Sequence, residues 1–311
     1  MIKGIDIGYT YTKDESRNMF KTAYTQTKQI VTNMSKITCN EGVFWVGDGM
    51  GTVELDKSQT LLNKLCLLRS LAESQDNEFY IVTGLPISQY FAQKDKLKKF
   101  LMQNNKCDII LNDTIEKTIK INDMLIYPQG AGALFSENIK SDVLIVDIGG
   151  RTIDIALMEM QGNKHKLQAN NTWFQGMLVL YSKIIDEVNK KFDLTLESRY
   201  AENILTKGLF IHGKKQDISF LQEVLQEHFE EIFQELRLRY PTKTTPIYLC
   251  GGGGHLLYNA FKRRFPDVCM FKAGQFANAL GFYNVGVNAF GRFDNKNINR
   301  SDLLWQIPNT L

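Results

Sequence analysis

Two segments of this chain read almost as copies of each other: Ile5-Asp6-Ile7-Gly8-Tyr9-Thr10 near the start, and Val146-Asp147-Ile148-Gly149-Gly150-Arg151-Thr152 near the middle. In each, a short apolar run ends in an aspartate and is followed by glycine. An apolar run such as Val143-Leu144-Ile145-Val146 is the pattern of a strand buried on both faces. The aspartate then falls where the strand leaves the core, and the glycine lets the backbone turn tightly and approach a ligand. A third run, Ile247-Tyr248-Leu249-Cys250, leads into Gly251-Gly252-Gly253-Gly254. Three strands ended this way constrain the fold far more than one does. Two such turns facing each other would grip a phosphate chain and its metal.

The chain's 311 residues suit two domains or one bilobed unit better than a single core. A net charge of +3 is too weakly basic for direct nucleic-acid contact, which needs a concentrated basic patch. The densest cluster, Lys94, Lys96, Lys98 and Lys99, reads as a solvated helix face, or else as a docking surface for an acidic partner. The five cysteines are odd in number and lack CxxC spacing, so neither a zinc site nor a disulfide framework is expected. With no signal region and no run of membrane-spanning length, the expected location is the cytoplasm, with no membrane contact.

Along the chain, residues 2–8 read as a strand, and 20–46 as weakly alternating short antiparallel strands closed by a turn at Gly47-Asp48-Gly49. Leucines at 61, 65, 68 and 71 predict a helix. A buried strand at 79–83 ends in Gly84-Leu85-Pro86, followed by a helix over 94–103, a hairpin over 109–121 and a strand over 124–127. The small residues of Pro128-Gln129-Gly130-Ala131-Gly132-Ala133 suit a tightly packed helix start. After the second Asp-Gly strand, residues 152–160 continue as its hairpin partner. Helices are predicted over 176–192, 220–238, 256–265 and 273–283. The second carries Leu221, Val224, Leu225, Phe229, Ile232, Phe233 and Leu236 on one stripe. From about 287 the chain turns polar, and Leu303-Leu304-Trp305 is expected to dock back onto the body. The same theme thus occurs twice, which implies two similar lobes with a cleft between them.

At these residues the chain resembles the actin, sugar-kinase and heat-shock-chaperone ATPase superfamily. Asp6-x-Gly8 with Lys13 matches its first phosphate loop, Asp147-Ile148-Gly149-Gly150-Arg151-Thr152-x-Asp154 its second, and Leu249-Cys250-Gly251-Gly252-Gly253 its nucleoside-binding turn. Pro128-Gln129-Gly130-Ala131 fills the place of its first connecting helix, and 275–283, with Asn278, Ala279 and Gly281, that of the second. The short length and Thr83-Gly84-Leu85-Pro86 are most similar to the ParM-like plasmid-segregation actins. One departure is Gln129, since the best-known ParM-like proteins carry glutamate there.

The resemblance implies an α/β actin-like ATPase fold of two duplicated ribonuclease-H-like lobes, each with a mixed five-stranded sheet, around a nucleotide cleft. Lobe I would span 1–141 and 282–311, with a small subdomain inserted at about 20–75, and lobe II 142–281. Mg2+ would lie between Asp6 and Asp147, held largely through its waters, because magnesium takes few protein carboxylates; otherwise each aspartate caps its turn. Backbone amides at Gly8, Tyr9, Thr10, Gly149, Gly150 and Arg151 would form anion nests for ATP or GTP phosphates. Thr10 and Thr152 would add hydroxyls and Lys13 a point charge. Arg151 either contacts phosphate or points outward, and Asp154 either orders water or has a structural role. Gln129 is the candidate for positioning the attacking water. Gly251, Gly252, Gly253 and Gly254 would lie against the α-phosphate and nucleoside, with base contacts from the region of Glu202 and Lys207. The resemblance further implies head-to-tail filaments with copies of itself, hydrolysis coupled to polymerisation, and an adaptor protein bound to centromere-like plasmid DNA. A small-molecule kinase and a non-polymerising assembly ATPase are the alternatives; a kinase needs a carboxylate base in the cleft, where Gln129 stands.

Overall fold

The computed structural model describes residues 1–27, 33–51 and 56–291. Its first half folds as β1 (Ile2–Ile7), β2 (Tyr11–Asp14), β3 (Met19–Lys21), β4 (Tyr24–Thr25), β5 (Ser35–Cys39), β6 (Gly42–Val46), α1 (Leu61–Ala72), β7 (Glu78–Leu85), α2 (Ile87–Met102), β8 (Lys106–Leu111) and β9 (Ile115–Pro128), ending in a 3-10 helix at Ala131–Ser136. The second half continues as β10 (Val143–Ile148), β11 (Ile153–Gln161), β12 (Lys164–Trp173), α3 (Met177–Phe192), α4 (Ala201–Lys207), a small hairpin of β13 (Phe210–Ile211) and β14 (Lys214–Lys215), α5 (Leu221–Arg239), β15 (Ile247–Cys250), α6 (Gly251–Arg264), β16 (Cys269–Met270) and α7 (Ala277–Phe290).

The duplication is visible in strand order. In the second sheet the order is β12-β11-β10-β15-β16, with the first two pairings antiparallel and the last two parallel. The first sheet contains β3-β2-β1-β7-β9 with the same sequence of pairings. It does not stop at five strands, however. β9 runs 14 residues, and its early part, beyond the reach of β7, pairs antiparallel with β8, which then takes on β5, β6 and β4. The inserted segment is therefore fused to a nine-stranded sheet. β9 also joins the predicted hairpin arm and the strand at 124–127 into one element.

Buried leucines of α1 (Leu62, Leu65, Leu68, Leu71) pack on the first sheet with Ile5, Phe79 and Ile81. On the second sheet, Leu221, Phe229, Ile232 and Leu236 of α5 meet Leu180 and Ile184 of α3. Each such side chain, fully buried, contributes roughly 1.5–3 kcal/mol against the chain's conformational entropy.

Several predicted boundaries move. α2 starts at Ile87, because Pro86 fixes the turn out of β7; its first half buries only Ile87 and Tyr90, which leaves a weak helical pattern. Residues 131–136 form a 3-10 turn whose glycine Gly132 abuts the Phe282 ring: a Cβ there would fall 2.3 Å from it. The glycine run is the first turn of α6 itself, entered directly from β15 through Gly251 at φ +78°. α7 begins at Ala277 and continues to Phe290, whose ring packs near Tyr80. α7 lies against β1, β7 and the 3-10 turn, with Gly4 so close that a Cβ would meet the Ala279 carbonyl at 2.2 Å. The segment Leu303-Leu304-Trp305, with its expected docking, lies outside the described residues. No helix among the described residues is long and apolar enough to cross a membrane.

Candidate nucleotide cleft

β1 and β10 occupy equivalent central places, and their C-terminal ends carry Asp6 and Asp147. The turns that follow have the same closure: the Gly8 amide donates to the Tyr11 carbonyl at 3.0 Å, and the Gly149 amide to the Thr152 carbonyl at 2.9 Å. A side chain at Gly8 would meet the Tyr11 carbonyl at 2.8 Å, so the turn has no room for one. These two amides, expected as anion donors, are consumed by the turns. Gly150 presses directly on Thr10, where an added Cβ would come within 1.8 Å of Oγ1. The Thr10 hydroxyl is buried without a hydrogen-bond partner among the described residues. An orphaned buried donor at the junction of the two turns costs free energy unless something completes it.

Around these turns lies a cavity of about 290 Å³, lined by Asp6, Gly8, Tyr9, Thr10, Lys13, Gln129, Asp147, Gly149, Gly150, Thr152, Asp154, Glu202, Gly251, Gly252 and Gly253. Fifteen residues singled out in the sequence are thereby brought together. Arg151, Lys207 and Gly254 are not among the lining residues. Arg151 stands with its guanidinium 5.5 Å from the Tyr9 ring centroid, Lys207 is exposed at the end of α4, and Gly254 turns toward Leu249 and Met270. Tyr11, Met177, Leu178, Tyr181, His255 and Gln275 also line the cavity. Of these, Tyr11, Met177, Leu178 and Tyr181 carry no motif of their own, and only the fold delivers them. Two larger hollows, of about 530 and 630 Å³, lie on the outer side of the second lobe and contain none of these residues.

Amides hold the two aspartates. Gln129, at the end of β9, is buried; its Nε2 donates to Asp6 Oδ1 at 2.7 Å and to the Ile7 carbonyl at 3.4 Å. Asn278, at the start of α7, donates from Nδ2 to Asp147 Oδ2 at 2.6 Å and accepts the Gly130 amide on Oδ1 at 3.0 Å. Burial foremost, and then the neighbouring charges of Asp6 and Asp154, push the Asp147 carboxyl up to about 7, against the pull of Lys13 and Asn278. Gly251 sits against it, since a Cβ there would meet Asp147 Oδ1 at 2.4 Å.

Asp154 lines the cavity and is also hydrogen-bonded on both carboxylate oxygens. Its Oδ1 accepts from Thr172 Oγ1 at 2.6 Å and from the Ile87 amide at 3.3 Å, and its Oδ2 accepts from Thr152 Oγ1 at 3.0 Å. The Ser88 amide donates to Thr172 Oγ1 at 3.3 Å. The N-terminus of α2, on the first lobe, is therefore capped by a carboxylate and a hydroxyl from the second. Burial raises the Asp154 carboxyl above its ordinary range.

The second turn is fixed from behind by α3. Gly176, Met177 and Leu178 donate their amides to the carbonyls of Arg151, Gly149 and Gly150 at 3.2, 3.0 and 2.7 Å. Helix N-terminal amides need such partners, and here a loop supplies them. One further residue goes unread in the sequence: Lys57, flanked by Asp56 and Ser58, has the local pattern of a solvated loop. It is instead 2% exposed and donates to the Ile7 carbonyl at 2.8 Å. Burial pushes its amine down to about 8 against the charges of Asp6 and Asp154.

Among the described residues no group of three or more His, Cys, Asp and Glu is placed to hold a metal alone. Two carboxylates at equivalent strand ends fit a magnesium ion that they would hold largely through its waters.

Two repeated mixed sheets that meet at paired Asp-Gly turns define the actin-like fold. Residues 4–132 match the family model of the actin-like proteins' N-terminal domain, and 145–263 that of the archaeal actin homologue MreB-like C-terminal domain. The chain belongs to the actin-like proteins. Among solved structures it is similar to a non-polymerisable quadruple mutant of pCBH ParM (22% identity, 92% of this chain and 98% of that one, TM-score 0.76). It is likewise similar to a 15-stranded ParM filament from Clostridium botulinum (21%, 92% and 98%, TM-score 0.75). The archaeal actin homologue Ta0583 in complex with ADP matches at 18%, over 91% and 98%, with a TM-score of 0.76. No curated protein matches the chain.

Proposed function

We propose that the chain is a slow nucleoside triphosphate hydrolase, using ATP or GTP with Mg2+, that assembles head to tail into filaments and segregates plasmid DNA through an adaptor protein. The observation that carries the nucleotide reading is the junction of the two turns, where Gly150 abuts Thr10 and the buried Thr10 hydroxyl has no partner among the described residues. A phosphate oxygen completes that donor, with the amides of Thr10 and Gly150 on either side. Lys13, on β2 beside Asp6, adds a point charge, and Glu202 stands at the nucleoside end. Asp6 and Asp147 would hold magnesium, which neutralises phosphate charge when bound. Gln129 spends its amide N–H on Asp6, which leaves Oε1 to orient a water; a neutral amide is a weak base, so turnover is slow.

The filament reading rests on the likeness to ParM, one relative of which is a filament. A head-to-tail contact is heterologous and does not close, so it propagates. Nucleotide-driven closure of the lobes supplies the switch. Plasmid segregation needs a further reader, the adaptor, with no direct DNA contact by this chain. Light scattering and negative-stain microscopy with Mg-ATP and Mg-GTP test the proposal. Nucleotide-dependent filaments are expected, and their absence across a wide protein concentration range overturns the filament reading.

A further inference from the structure

The two phosphate-loop turns are alike in closure but not in support. Behind the second, α3 places three amides on the loop carbonyls. Behind the first no helix follows among the described residues, because β2 runs on into β3. In that place stands Lys57. Its ammonium donates to the carbonyl of Ile7, the residue between Asp6 and Gly8, and lies 3.8 Å from the Tyr9 ring centroid. The same carbonyl receives Gln129, and the Tyr9 hydroxyl accepts from Gln89 Nε2 at 3.2 Å. Lys57 is held in turn: its own carbonyl accepts Asn63 Nδ2 at 2.5 Å, just inside the first turn of α1. It does not line the cleft.

Burying an ammonium is costly, and an apolar side chain of the same length would serve packing as well or better. The amine has its use in the loop it grips. We propose that Lys57 is a positioning residue for nucleotide binding, holding the first phosphate loop as α3 holds the second. The inference rests on the nucleotide reading of the cleft.

The test is Lys57→Met, which keeps the length and loses the charge and the donor, beside Lys57→Gln, which keeps a donor. Each is compared with wild type by titration calorimetry with Mg-ATP and Mg-GTP and by thermal unfolding without nucleotide. If wild type binds neither nucleotide, the reading of the cleft itself falls. With wild type binding, Lys57→Met is expected to weaken affinity about tenfold or more, with Lys57→Gln in between, and with the nucleotide-free melting temperature unchanged or raised. Wild-type affinity in Lys57→Met overturns the inference while leaving the cleft reading intact. So does a fall of melting temperature in proportion to affinity, or failure of both variants to fold, since either marks a purely structural lysine.

Discussion

Asp147 offers a test in which stability and function move in opposite directions. Its carboxyl is 8% exposed, faces Asp6 and Asp154, and is pushed from an ordinary 3.8 to about 7 in the folded chain. The sign follows from linkage. Because the folded value is raised, the unfolded chain ionises first as pH increases, and the folded state loses stability between about pH 4 and pH 7. Below that window both states are protonated, and above it both are ionised. At 1.36 kcal/mol per pH unit, the full effect is roughly 4 kcal/mol. Asp147→Asn removes the charge and keeps an oxygen for Asn278 Nδ2 to bond. The nucleotide-free variant should match wild type near pH 4 and be more stable by roughly 4 kcal/mol at pH 8, or about 8 °C in melting temperature for a chain this long. Urea unfolding of both proteins across pH 4–8.5 measures the difference directly, so slopes from other groups cancel. The same variant should lose magnesium-dependent nucleotide binding, measured by calorimetry with and without metal. A difference that is independent of pH, or an Asp147→Asn variant less stable than wild type at pH 8, refutes the reasoning.

Other outcomes follow from the same geometry. Gln129→Ala should bind nucleotide and assemble but release phosphate at least about tenfold more slowly, giving longer-lived filaments; normal release would remove Gln129 from the water-positioning role. Gly150→Ala places a methyl against the Thr10 hydroxyl and should cost about 1–3 kcal/mol by forcing the two turns apart, an effect that Thr10→Gly in the same chain relieves in a melting assay. Phe282→Ala should cost about 3–5 kcal/mol, since the fully buried ring fills the space between Gly84 and Gly132; an unchanged midpoint in urea would contradict that packing.

Much of the site is legible in sequence because its requirements are local. A strand buried on both faces must be apolar, and a turn that lets backbone meet backbone must be glycine. Those two demands alone mark the ends of β1, β10 and β15 and their order along the chain. Helix starts are harder to read. Only Ile87 and Tyr90 are buried in the first half of α2, too few to mark its beginning, and its first amides are satisfied by Asp154 and Thr172 from the other lobe. The glycine run reads as a turn because helix propensity disfavours glycine, whereas close contact with Asp147, Ile148 and Met177 requires it at Gly251 and Gly253.

The sequence by itself determined the duplication and the two aspartates at matching strand ends, and its resemblance put Gln129 between the two turns and Asn278 on the second connecting helix. Tertiary structure decided what each is bonded to. It joined the inserted segment to a nine-stranded sheet, because a strand's free edge takes whatever partner the rest of the chain brings to it. It let Asp154, in the lining of the cleft, cap the Ile87 amide, and set Lys57 beneath the first loop from 50 residues away. Such contacts depend on which surfaces meet after folding, and spacing along the chain carries no record of that.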